Sequence, residues 1–194
     1  MNNIITTTYQ APPINAKEIL RYAGGSNDEN TINLLNECII ESEKQLVYKI
    51  CYCKLPINIY DDLCDFGVFS VKSQDLAKNL KNCDSVIIFG ATLGVSLDRL
   101  IAKYSRISPA KALLLQAFGA ERIEALCDAF YADIARGCKI KPRFSAGYGD
   151  LPIETQKDIF TTLNLPKNIG LSLSDSLLMS PSKSVTAFIG IQEV

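Results

Sequence analysis

Residues 85–94 read "SVIIFGATLG", ten positions without a charge and without polar alternation. A short apolar run of this kind, rich in β-branched residues, fits a strand buried on both faces. The chain therefore has to fold as a sheet with material packed on either side of it.

The other segments supply that material. "NAKEILRYAGG", residues 15–25, predicts a short helix capped by Asn15 and ended by Gly24 and Gly25. In "DENTINLLNECIIESEKQL", residues 28–46, Ile32, Leu35, Ile39 and Leu46 recur at helical spacing. Together these two helices predict an N-terminal helical layer. "VYKICYCKLPINIY" (47–60) and "FGVFSV" (66–71) change to strand character, and "SQDLAKNLKNC" (73–83) predicts a helix capped by Ser73. "VSLDRLIAKYSRI" (95–107) is helical. Ser108 and Pro109 then open the longest helix, through residue 136, with Gly119 in its middle and Gly137 at its end.

After this helix, "CKIKPRF" (138–144) predicts a strand and "IETQKDIFTTLN" (153–164) a helix. "IGLSLSDSLLM" (169–179) and "SVTAFIGI" (184–191) predict two closing strands joined by "SPSK". The sum is an α+β fold: a twisted, largely antiparallel sheet with packed helices. The expected organisation is a single domain over 1–194, with an N-terminal helical part (1–46) and an α/β core (47–194).

Histidine is absent from the 194 residues. That removes the usual general base and metal ligand at neutral pH and excludes Ser-His-Asp and Cys-His hydrolases, so no catalytic residue and no metal ligand is expected. Twenty basic residues against 21 acidic ones leave no surplus that would draw nucleic acid or an anionic membrane. Seven cysteines, an odd number in apolar surroundings, suit a reducing cytoplasm. Cys51 and Cys53 share one strand face, but without CxxC pairs they read as core residues. The start lacks the cationic and apolar regions of a signal peptide, and no apolar stretch is long enough for a bilayer.

"RFSAGYGDLP", residues 143–152, sets Arg143 beside Gly147, Tyr148, Gly149, an acid and a proline. One reading is a turn whose glycines serve positive φ angles. The other is a backbone-lined site for a small molecule with a carboxylate. Glu124, mid-helix in "RIEALCDAF", is a solvated glutamate unless it points at Arg143. In that case the two could grip the ends of an amino-acid zwitterion. "FGATLG" ends a strand and opens a helix but matches no phosphate-loop pattern. "SPSK" satisfies SxxK, yet it lies between strands rather than at a helix start, and no KTG follows.

The order of these motifs resembles the activation (reactivation) domain of cobalamin-dependent methionine synthase. The residues that carry the resemblance are "EALCD" from Glu124, a strand, "RFSAGYG", the closing "LSLSDSLLMSPSKSVTAFIG" and the central "VIIFGATLG". They cover about residues 80 to 194. The resemblance implies S-adenosylmethionine as the bound cofactor and docking over the cobalamin-binding module of a methionine synthase or another corrinoid protein. It also implies reductive methylation of cob(II)alamin there, with a flavodoxin-type electron donor. Carried over, Arg143 would hold the methionine carboxylate and Glu124 the ammonium, while Ser145, Gly147 and Tyr148 would line the adenosine pocket. Met179, Pro181 and Lys183, at the tip of the closing hairpin, would face the partner's corrin. The chain has no match to the family's methyltransferase or cobalamin modules, so the expectation is action on a separate partner. "GDLP" stands where the family has a proline- and cysteine-containing turn, and the family's C-terminal aromatic contact has no counterpart. Two other readings stay open: a docking module that caps a corrinoid protein without S-adenosylmethionine, and an unrelated small-molecule-binding protein on the same fold.

Overall fold

The computed structural model describes residues 3–24 and 28–192. Its elements in chain order begin with strand β1 (Ile5–Thr8) and helices α1 (Ala16–Ala23) and α2 (Glu29–Ser42). Strands β2 (Lys49–Pro56), β3 (Asn58–Tyr60), β4 (Leu63–Asp65) and β5 (Ser70–Lys72) follow. Next come α3 (Gln74–Asn79), β6 (Ser85–Thr92), α4 (Ser96–Ile107), α5 (Pro109–Ala135) and β7 (Lys139–Ile140). The chain closes with α6 (Thr155–Leu163), α7 (Leu165–Ile169), β8 (Ser172–Leu173), β9 (Met179–Ser180) and β10 (Ser184–Gln192).

Five strands form the main sheet in the order β1-β2-β6-β10-β7, antiparallel at each pairing. Every residue of β6 is buried, as its unbroken apolar run requires. Residue parity sorts the two faces. Cys51, Cys53, Leu55, Val86, Ile88 and Phe188 pack with α3, α6 and α7 on one face. Ile50, Ile87, Phe89, Ala187 and Ile189 pack with Ile123, Leu126, Cys127 and Phe130 of α5 on the other. A third cluster joins α1 and α2 to α4 and α5 through Ile19, Leu35, Leu97 and Phe118. The fold is α+β with an antiparallel sheet and packed helices, and the expected helical layer is present.

Local signals explain several element ends. The Asn15 side chain accepts from Glu18 N at 3.2 Å, and Gly24 closes α1 in the left-handed region at φ 61°. Gly25, the second expected stop, lies outside the described residues. Ser73 caps α3, accepting from Leu76 N at 3.0 Å. The guanidinium of Arg122, fully buried, donates to Glu121 and to the carbonyls of Pro12 and Pro13 at 2.5 and 2.7 Å. That arrangement satisfies a buried charge and straps the segment before α1 onto α5.

The structure corrects several local expectations. β1 precedes the helical layer and forms the sheet's edge; its "ITTT" is mostly exposed and carries no apolar alternation. "FGVFSV" is not one strand: the chain turns between Phe66 and Phe69, with Phe66 N donating to Phe69 O at 3.0 Å, so only Ser70–Lys72 extends. Ser108 makes no side-chain capping bond, and α5 ends at Ala135, two residues before Gly137. In "CKIKPRF" only Lys139–Ile140 is ladder, with a single bridge at Phe144 beyond Pro142. The two closing strands do not pair through "SPSK". Ser172–Leu173 pairs with Met179–Ser180 around a tip at 174–178, and β10 belongs to the main sheet.

Candidate functional site

β10 creates the site by outrunning its neighbour. Lys141 N donates to Gly190 O at 2.9 Å, and Phe144 and Phe188 exchange both main-chain bonds at 3.0 and 2.8 Å. After Phe144 the chain leaves the sheet. Tyr148 N donates to Ser145 O at 3.1 Å and Gly147 N to Leu151 O at 3.0 Å, which fixes a tight turn. Residues 184–187 of β10 thus have no strand on that side among the described residues. Alternation from Phe188 turns the main-chain groups of Thr186 toward the open side.

A cleft of about 380 Å³ runs along this edge, at the small end of the range for ligand pockets. Glu124, Arg143, Phe144, Ser145, Tyr148 and Met179 line it, together with Gln156 and residues 184–187. Because the cleft wraps a sheet edge, its two ends differ. Val185 and Ala187 face the α5 layer, while Phe144, Ala146 and Met179 belong to the α6 layer.

Arg143 anchors the α5 end. Its Nη2 donates to Glu124 Oε2 at 3.1 Å and to Asp128 Oδ1 at 2.8 Å. The two acids are one helical turn apart, so they present to the same point. Burial works against the charged guanidinium, but the Glu124 and Asp128 carboxylates oppose it, and its pKa stays above the ordinary value. Burial pushes the neighbouring Cys127 thiol up to about 12, which keeps it protonated and unreactive.

Other predicted residues lie elsewhere. Gly147 adjoins the cleft without lining it: at φ 89° a Cβ there would meet Ile153 Cδ1 at 3.1 Å. Pro181 is buried, not at an exposed tip. Lys183 lines a neighbouring pocket with Tyr22, Ile123 and Ser182 that shares Glu124, Ser184 and Val185 with the cleft. Burial lowers its pKa, with Asp98 opposing.

Two contributors were missed. Asp150 accepts from Ser73 Oγ, from Gln74 N at 2.7 Å and from Asp75 N at 3.1 Å, so "GDLP" is a cap that ties the turn to the start of α3. The Ser73 hydroxyl first, then these main-chain N–H groups, lower its pKa. Gln156, on α6, is buried within the cleft lining. Three residues before Ile159 and four before Phe160, it sits on the inward face, and that spacing was the available signal.

Among the described residues no helix is long and apolar enough to cross a membrane. All seven cysteines are free.

No family model and no curated protein matches the sequence. Among solved structures, that of the MetH reactivation domain bound to AdoHcy matches with a TM-score of 0.71 at 14% identity. It covers 97% of this chain and 78% of that chain. The chain has the fold of the methionine synthase reactivation domain.

Proposed function

We propose that this chain binds S-adenosylmethionine in the cleft at the open edge of β10. On this reading it supports reductive methylation of cob(II)alamin held by a separate methionine synthase or corrinoid protein. The observation that carries the proposal is Arg143, fixed by Glu124 and Asp128 at one end of a cleft on a fold whose structural neighbour holds AdoHcy. Arg143 takes the ligand carboxylate and Glu124 its ammonium. Both resident contacts run through Nη2, so the N–H groups of Nε and Nη1 remain to donate to a carboxylate. Ser145 and Tyr148 line the nucleoside end, while Gly147 acts indirectly by shaping the turn.

No side chain of this chain enters the bond change. The methyl group would pass to the partner's cobalamin, made nucleophilic by one electron from a flavodoxin-type donor, with S-adenosylhomocysteine as the leaving group, and this protein would supply binding and orientation. Transfer of label from methyl-labelled S-adenosylmethionine to a corrinoid protein under a one-electron reductant tests the reading. Label that depends on this chain is expected; equal labelling without it overturns the role.

A second reading is a docking module that caps a corrinoid protein without S-adenosylmethionine. Tyr148, 65% exposed on the cleft, and Leu178, 69% exposed next to Met179, favour it as apolar contacts for a partner. A corrinoid partner retained at unchanged affinity, with no binding of S-adenosylmethionine, would select this reading.

A further inference from the structure

We propose that Gln156 reads the base of the ligand, accepting a hydrogen bond at Oε1 from the exocyclic amine of a 6-aminopurine. The inference rests on the adenosyl-ligand reading above and extends it to a specificity-determining residue.

Gln156 is 7% exposed, and its Oε1 has no hydrogen-bond partner. Four buried side-chain atoms among the described residues share that condition: Tyr48 Oη, Asn79 Oδ1, Ser85 Oγ and Gln156 Oε1. Of these residues only Gln156 lines the cleft. A buried acceptor left without a donor costs free energy, and apolar side chains of similar volume avoid that cost. The carboxamide's oxygen and nitrogen exchange places by a half-turn, so this lining residue can turn its orphan acceptor into the cleft, toward a donor that arrives from outside the protein.

The cleft narrows which donor it is. Glu124 and Arg143 occupy the α5 end, where the ammonium and carboxylate of an amino-acid ligand find opposite charges. Ribose hydroxyls both donate and accept, and Ser145, Ser184 and Thr186 can serve them in either sense. Gln156 comes from α6, on the opposite side of the sheet edge from α5. It shares its part of the lining with Phe144, Ala146 and Met179, and the Tyr148 ring stands edge-on to Phe144 at 6.4 Å between centroids. Such walls suit a flat heteroaromatic ring. A carboxamide matches the adenine edge, with its oxygen accepting from the 6-amino group and its nitrogen donating to the adjacent ring nitrogen. A purine without the amino group leaves Oε1 as unpaired as it is in the free protein.

The experiment is calorimetric titration of the full chain with S-adenosylhomocysteine and with its analogue lacking the 6-amino group. Wild type and Gln156→Leu are compared. Wild type should prefer the adenosyl ligand by about tenfold or more. Gln156→Leu should bind both ligands with equal affinity. The ligand-free variant should melt no lower than wild type, because the orphan acceptor is gone; a purely structural glutamine would instead lower the melting temperature. If the leucine variant does not fold, Gln156→Met is read by the same criteria. A preference that survives the substitution, or a wild type that does not discriminate, overturns this inference and leaves the adenosyl reading standing. A wild type that binds neither ligand overturns both.

Discussion

Glu124 and Arg143, nineteen residues apart, meet in a 3.1 Å ion pair on the lining of the cleft. The pair joins the middle of the longest helix to the first residue of the glycine turn. The cation on which the proposed site depends is therefore held in place before any ligand arrives. Arg143→Ala is predicted to weaken S-adenosylmethionine binding by roughly 1.5–3 kcal/mol, the range for a hydrogen bond to a charged group. Arg143→Lys should also lose much of the affinity, because one ammonium cannot hold Glu124 and Asp128 through one nitrogen and the ligand through others. Titration calorimetry on both variants checks this, and unchanged affinity in both removes the ligand from this turn.

Gly147 decides the shape of the turn. Its φ of 89° disfavours any side chain, and an added Cβ would press on Ile153 Cδ1 at 3.1 Å. Gly147→Ala is predicted to cost about 1–2 kcal/mol of stability from the backbone conformation alone. Ile153→Val in the same chain should recover only the steric part. Urea unfolding of the single and double variants measures both, and an alanine variant as stable as wild type contradicts the turn account.

The central sheet strand and the long helix were legible from apolar pattern and length, and the helices at Asn15 and Ser73 because apolar pattern and capping residues agreed there. β1 was not, since an exposed edge strand written "ITTT" has neither alternation nor a buried face. The β8–β9 hairpin was misread because "SPSK" looks like a turn, whereas the tip falls at 174–178. Within the site, Arg143 with Glu124 could be anticipated as a pair. Asp128 could be seen as an acid without a role, and Asp150 as part of a turn without its bond to α3. Gln156 was overlooked because a glutamine among Thr, Lys and Asp on a short helix looks like a solvated face, although its spacing from Ile159 and Phe160 puts it on the buried side.

Gly119 offers a test in which packing opposes intrinsic propensity. In an exposed helix Gly→Ala gains about 1 kcal/mol. Here a Cβ would lie 2.5 Å from Leu97 Cδ2 and 2.9 Å from Lys183 Cγ, at the seam of α4, α5 and the segment before β10. Gly119→Ala is predicted to destabilise by roughly 1–3 kcal/mol, the usual range for overpacking. A rise in denaturation midpoint would show that the seam yields.

Asp150 ties the turn to α3, and its lowered pKa gives that tie a pH dependence. A carboxylate whose pKa is depressed on folding adds stability above its unfolded value, 3.8 for the free side chain, and loses it as pH falls through the folded value. Asp150→Asn is predicted to melt below wild type at pH 7. The gap should persist to about pH 5 and close only below the free-carboxylate range. Thermal melts across that interval check it, and a gap that does not change with pH would assign the difference to something other than the charge.

Calorimetry of the wild-type chain with S-adenosylmethionine, repeated with Arg143→Ala, tests the central claim most directly. The account predicts one-to-one binding to wild type and a loss of roughly 1.5–3 kcal/mol in the variant. Absence of heat and of any melting shift in wild type at saturating ligand would contradict it.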